Sequence, residues 1–174
     1  MKKYHSWISP KLEVRDIQDF GKGVYAKEDV LKDEILAIFG GYVMTLDEEQ
    51  ELPPHMRDFA HQIAPNFVIG INKDEDIQPV DYFNHSCNPN AGFKGQIFLL
   101  SMNNINKDEQ ITFDYSMVLS VETYKFDCQC GSENCRKVVR GTDWMLKALQ
   151  EKYKGYFQWY LEEKIKKLNA TSIG

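Results

Sequence analysis

What the sequence lacks narrows it first. Its longest apolar run, Ile35 to Met44, carries Gly40 and Gly41 and is half of the ~20 residues that cross a bilayer, so no membrane span is expected. The opening "MKKYHSWISPKLEV" has no apolar h-region, which leaves no secretory signal in view and suggests an intracellular protein, cytoplasmic or nuclear. Repeats and low-complexity segments are absent, and only "NATSIG" at the end reads as a frayed terminus. An excess of basic residues is missing too: 21 Lys and Arg face 26 Asp and Glu, for a net charge of -5. That balance disfavours non-specific binding to a phosphate backbone, so direct nucleic-acid contact is not expected. It suits a basic protein or peptide partner, although solubility alone also explains it. At 174 residues the chain is long enough for one well-filled core and short of two ordinary domains.

Cysteine is scarce but concentrated. Of four, three lie in "FDCQCGSENCRK" as Cys128, Cys130 and Cys135, and the fourth, Cys87, lies in "NHSCNPN". Disulfides would need an oxidising compartment, which nothing suggests. Metal is the better reading than free thiols. Zn2+ favours four thiolates at about 2.3 Å in a closed tetrahedron, and Cys-x-Cys-x4-Cys can supply three from one tight loop, turned by Gly131, Ser132 and Asn134. Cys87 would complete the set.

Short strands come before helices. The runs "KLEVRDI" (11–17), "GVYAKE" (23–28), "EILAIFG" (34–40), "NFVIGI" (66–71), "QIFLLSM" (96–102) and "QITFDY" (110–115) are rich in branched and aromatic residues and bounded by turn formers. They predict a mostly β fold of small sheets. "TLDEEQELPPHMRDFA" is helical in its first half and broken at Pro53 and Pro54. In the tail, Thr142 is placed to N-cap "DWMLKALQEKY", Gly155 closes that helix, and Phe157, Tyr160, Leu161, Ile165 and Leu168 recur at helical spacing. Those aromatics are expected to pack on the domain.

Three motifs stand in order before the cysteine cluster: "GKGVYA" (21–26), "NHSCNPN" (84–90) and "QITFDY" (110–115). Singly each has a plain reading, as a turn, a loop with a core histidine, and a strand with core aromatics. Together, from about Leu12 to Cys135, they resemble the SET-domain protein-lysine methyltransferases, and the aromatic tail looks like that of compact microbial members. The resemblance implies a mostly β fold with C-terminal helices: a SET-type β-clip with a knot-like core through which "NHSC" and "ITFDY" thread. It divides the chain into a SET domain at 8–118, a post-SET zinc loop at 119–141 and a C-terminal helical segment at 142–169. It implies S-adenosylmethionine as methyl donor and one structural Zn2+ on Cys87, Cys128, Cys130 and Cys135. The backbone of Lys22, Gly23 and Val24 would hold the donor's methionine part, while Asn84 and His85 would bind the donor rather than act as bases.

The resemblance also gives Tyr115 the catalytic position. Methyl transfer from a sulfonium to lysine is an in-line displacement on a neutral amine, and a phenol beside the methyl can align the reactants without ionising. Phe113, two residues earlier on the strand, would point to the same face and set the number of methyl groups, phenylalanine leaving space for more than one. The substrate would be a histone-like or other Lys-rich segment. Two departures from the family pattern stand out. Many members carry Tyr-x-Gly-Glu where this chain has Phe39, Gly40, Gly41 and Tyr42, leaving open whether Tyr42 replaces the missing hydroxyl; and no aromatic for stacking on adenine is obvious, with Val138 and Val139 after the cysteines and Trp144 farther on. The altered segment keeps an alternative alive, a catalytically weak or inactive zinc-containing protein-binding module of SET type.

Overall fold

The computed structural model describes residues 5–18, 21–57 and 59–171. Each run expected as a strand forms one, usually trimmed at its ends. Leu12–Ile17, Gly21–Ala26, Gln110–Phe113 and Asn84–His85 make one four-stranded sheet in that order, and Trp7–Ile8, Ile35–Ile38, Phe98–Ser101 and Ala91–Lys94 make a second. Tyr42–Thr45, Phe67–Gly70 and His61–Ala64 form a three-stranded sheet, and Lys125–Asp127 pairs with Val138–Arg140. Among the described residues all strand pairings are antiparallel except one: Thr112 and Phe113 run parallel to Asn84 and His85. That pairing lays the two most informative motifs side by side.

One apolar core joins the first two sheets to the tail. Val24, Leu36, Phe93, Leu99 and Ile111 from the strands pack with Tyr153, Phe157, Tyr160 and Leu161 from the C-terminal segment. The tail aromatics therefore do seal the domain, as their spacing predicts. Tyr160 donates to the Val118 carbonyl and reaches Gln62 Oε1 at 3.2 Å, tying the last helix to the rest.

Thr45 N-caps Leu46–Gln50 with a full capping box to Glu48, and after the prolines a second turn, Pro54–Arg57, begins with Pro54 at its first position. The tail departs from expectation at its start. Thr142 makes no side-chain cap; a 3-10 turn, Asp143–Met145, comes first, and the helix proper is only Lys147–Lys152. The carboxylate of Asp143 instead accepts from the Arg140 amide at 3.1 Å. Gly155 does take a left-handed φ of 78°, and the final helix runs Trp159–Thr171. Of the stretch expected to fray, Asn169 to Thr171 are helical, and the last three residues lie outside those described. Among the described residues no helix is long and apolar enough to cross a membrane.

Candidate active site and metal centre

The site grows from the parallel pair. Phe113 sits opposite His85 at the end of its strand and is buried against Phe93, whose ring centroid is 5.2 Å away. The strand stops there. The side chain of Asp114 accepts from the Ser116 amide at 2.9 Å and opens a 3-10 turn, Tyr115–Met117, so Tyr115 does not share a strand face with Phe113 as expected. A local Asp cap has overridden the β propensity of the run. The two rings nevertheless touch, with centroids 5.0 Å apart. Tyr115 is fixed from three sides: its hydroxyl donates to the Phe83 carbonyl at 3.2 Å, its amide donates to His85 Nδ1 at 3.2 Å, and its ring meets His85 edge to face at 5.2 Å.

That amide contact assigns the tautomer of His85. Nδ1 is an acceptor, so Nε2 carries the proton, and it lies 3.4 Å from Cys87 Sγ. Burial holds the ring neutral, lowering its pKa to about 4. Such a residue orders a loop and makes a poor base. Asn84 Nδ2 donates to the Lys22 carbonyl at 2.8 Å. The ladder between Gly21–Ala26 and Gln110–Phe113 ends at Val24 opposite Ile111, which leaves the Lys22–Gly23 edge beyond it beside Asn84. At Gly23 a Cβ would stand 2.6 Å from Gln110 Nε2 and 3.0 Å from Asn84 Nδ2, so a larger residue would push these two side-chain amides aside. The Val24 side chain belongs to the core, leaving only its backbone to offer a ligand.

Two cavities meet at Tyr115. One, of about 590 Å³, is lined by polar groups of "NHSCNPN" and its neighbours, including Asn84, His85, Asn88 and Gln110, and by Cys128 and Gln129 of the cysteine loop. The other, of about 850 Å³, has an apolar wall of Phe39, Phe83, Phe113 and Leu119 and acidic groups in Asp47, Glu49 and Asp81. Tyr115 and Phe126 line both. Phe126 was not singled out from the sequence, because a phenylalanine on a three-residue strand next to a cysteine cluster carries no motif. Its ring lies 5.3 Å from that of His85 and 5.8 Å from that of Tyr115. Trp144 is buried elsewhere beneath Lys164, and Tyr42 does not line the larger cavity but lies near His5.

The four cysteines converge. Their Sγ atoms all lie within 4.8 Å of one another, and Cys87 Sγ is 3.9 Å from Cys128 Sγ. A tetrahedron with bonds of about 2.3 Å has S–S edges of about 3.8 Å, so the set fits Zn2+ in kind and size. Four thiolates this close repel one another unless a cation joins them. Backbone amides already face the sulfurs: Arg136 N–H points to Cys87 at 3.4 Å and Lys137 N–H to Cys135 at 3.4 Å. Gly131 turns the loop with φ 71°, in the left-handed region that suits glycine.

A second bond between the motifs could not be read in sequence. Arg136, next to Cys135, grips the fully buried Asp114 with both terminal nitrogens, at 2.5 and 2.7 Å, and Tyr153 donates to the same carboxylate at 3.0 Å. Burial pushes the Asp114 pKa up, but the guanidinium outweighs it and holds the group below the usual carboxylate range. Asp114 lies between Phe113 and Tyr115, so the cysteine loop is tied by charge to that turn, while its thiols converge on Cys87 in the other motif.

Comparison with known proteins places these features. A family model described as SET domain matches residues 21–116. Human Histone-lysine N-methyltransferase 2D is 28% identical over 130 residues, 67% of this chain but 2% of that protein. Human Histone-lysine N-methyltransferase SETD1B is 29% identical over 130 residues, 66% of this chain and 6% of the other, and Drosophila melanogaster Histone-lysine N-methyltransferase trr is 27% identical over 133 residues, 67% and 5%. The chain thus spans a small fraction of these relatives. In structure it resembles KRYPTONITE in complex with mCHG DNA and SAH, with a TM-score of 0.56 and 22% identity over 73% of this chain and 28% of that one. A second KRYPTONITE complex, with mCHH DNA, H3(1-15) peptide and SAH, gives the same TM-score over 75% of this chain and 30% of that one. These likenesses support the SET-type β fold expected from the motifs. The expectation of no nucleic-acid contact finds no support in them, since both complexes hold DNA.

Proposed function

Because the chain belongs to the SET-domain family, we propose that it is a protein-lysine N-methyltransferase that moves a methyl group from S-adenosylmethionine to a lysine side chain of a basic, histone-like or otherwise Lys-rich substrate. The observation that carries this reading is the pair of cavities that share Tyr115 and Phe126. The smaller, polar one suits the donor, held by Asn84 and His85 and by the backbone edge at Lys22 and Gly23, with Val24 behind them. The larger one suits lysine. Its apolar wall disfavours an ammonium, so the amine, with an unperturbed pKa of about 10.4, enters neutral, and Asp47 and Glu49, set against the single cation Arg57 on the same lining, suit a cationic peptide.

When bound, the donor supplies a sulfonium-borne methyl: nitrogen bonds to that carbon as the carbon–sulfur bond breaks, its electron pair stays on sulfur, and the amine proton leaves to water. Tyr115 aligns the reactants at the junction. Its hydroxyl donates to the Phe83 carbonyl, a placement that needs no ionised phenol. Phe113 borders the lysine cavity and leaves room for more than one methyl. In this reading residues 8–118 form the SET domain, 119–141 a post-SET loop closed by Zn2+ on Cys87, Cys128, Cys130 and Cys135, and 142–169 a helical brace. Zinc does no chemistry; it holds Cys128 and Gln129 in the donor wall. A reducing intracellular setting, cytoplasmic or nuclear, suits four unpaired thiols.

The test is transfer of labelled methyl groups to mixed basic proteins, followed by site mapping, with Tyr115→Phe as control. Label on lysine from the wild type and a large loss in the variant are expected. No incorporation by a zinc-loaded, donor-binding preparation would instead identify a binding module.

A further inference from the structure

The smaller cavity has a side chain that the assignment of Asn84 and His85 leaves unused. Gln110 opens the strand Gln110–Phe113, is half-buried, and lines this cavity together with Ile17 and Asn84. A Cβ on Gly23 would stand 2.6 Å from Gln110 Nε2, 2.7 Å from Ile17 Cδ1 and 3.0 Å from Asn84 Nδ2, so the three lining side chains meet over the bare Cα of Gly23. The Asn84 amide is already committed to the Lys22 carbonyl at 2.8 Å. Gln110 uses its backbone carbonyl to accept from Asn90 Nδ2 at 2.9 Å, but its carboxamide makes no hydrogen bond among the described residues. Charge sharpens what that free amide can do. No lysine or arginine lines the cavity, Asp127 is the one carboxylate on it, and burial holds His85 neutral. The ammonium of Lys22 is turned to Asp16, 3.4 Å away, and lies 5.7 Å from the centroid of the Tyr82 ring.

We infer that Gln110 is a donor-binding residue: its carboxamide holds the charged amino-acid end of S-adenosylmethionine at the Gly23 edge, with Nε2 donating to the carboxylate and Oε1 accepting from the α-ammonium. The inference rests on the methyltransferase reading above and adds a residue to its donor site. That end of the donor carries opposite charges on neighbouring groups. A carboxamide presents donors and an acceptor from one planar group and brings no charge of its own. It therefore serves a zwitterion, where a lysine or a glutamate would favour one charge and oppose the other. In a cavity lined by no cation the carboxylate must take its bonds from neutral donors, and hydrogen bonds to an ionised group are the stronger kind. Gly23 matters to the same end, because a side chain there would displace the Gln110 amide from the edge.

The experiment uses the zinc-loaded full chain as wild type and as Gln110→Met, which keeps the length of the side chain and removes both hydrogen-bonding groups. Two ligands are titrated by calorimetry: S-adenosylhomocysteine, and methylthioadenosine, which has the same nucleoside and sulfur but no amino-acid end. The variant should bind S-adenosylhomocysteine about tenfold more weakly, yet hold methylthioadenosine within about twofold of the wild type, the scale of a hydrogen bond to an ionised group. In turnover, the KM for S-adenosylmethionine should rise about tenfold while kcat stays unchanged. Equal losses for the two ligands, or S-adenosylhomocysteine bound by the variant as tightly as by the wild type, overturn the inference while leaving the enzyme reading intact. If the wild type binds neither ligand, the donor reading fails and the inference falls with it.

Discussion

The strand pair formed by Asn84–His85 and Gln110–Phe113 and the hairpin formed by Lys125–Asp127 and Val138–Arg140 are both short, yet different forces hold them. The first lies inside a four-stranded sheet, with Ile111 and Phe113 in the main core. The second has only Val139, Cys87 and Cys128 as its buried cluster. A two-stranded hairpin with so little apolar cover is marginal in water. It stands because four thiols converge beside it and because Arg136 reaches Asp114. One wall of the proposed donor cavity is therefore fixed by hydrophobic burial, and the facing wall by ligands and charge.

Removing the metal should separate the two regions most. Chelation, or Cys128→Ser, is expected to abolish transfer and to release the amides of 125–140 to hydrogen exchange while the sheet of Gly21–Ala26 and Gln110–Phe113 stays protected. Structural zinc contributes on the order of 10 kcal/mol in small zinc domains, far more than this hairpin can supply alone. Full activity in metal-free protein would remove the contrast. Next comes Arg136→Ala, which leaves Asp114 buried and unpaired and should cost about 3–5 kcal/mol, read as a fall in the denaturant midpoint. If Asp114→Asn in the same chain restores none of that loss, the ion pair is not what couples the loop to the turn.

Tyr115→Phe should leave metal content and hairpin protection unchanged. It removes one hydrogen bond, worth about 1 kcal/mol of stability, but should lower kcat about a hundredfold through misalignment. A large stability loss with unchanged kcat would move Tyr115 from the chemistry to the scaffold. The smallest effect on folding is expected from Phe113→Tyr. Its added hydroxyl borders a cavity, and the product mixture, read by mass spectrometry after exhaustive turnover, should shift towards monomethyl-lysine. Only monomethyl product from the wild type would contradict the reading of Phe113.

The contrast also explains what could be read in the sequence. Strands such as Leu12–Ile17 and Phe98–Ser101 announce themselves by branched and aromatic runs, and the convergence of Cys87 with the later cysteines followed from ligand chemistry and the family resemblance. Asn84–His85 is a strand only because Thr112 and Phe113 lie beside it, and His61–Ala64 and Val138–Arg140 are too short to show a period. The end of the strand at Phe113 was missed because Asp114 caps a turn inside an apolar run. Arg136 with Asp114, and His61 with Phe39, are encounters between residues 22 apart in each case, which no local pattern records. Phe126 gained its place from the two cavities and from nothing in its neighbours.

The most direct test of the junction at Tyr115 is a crystal structure with S-adenosylhomocysteine and a peptide carrying the mapped lysine. The donor product should occupy the cavity of Asn84 and His85, the lysine should enter the one walled by Phe39 and Phe83, and the sulfur and nitrogen should face each other beside the Tyr115 hydroxyl. Both ligands in one cavity, or a Tyr115 ring remote from either, would contradict the account.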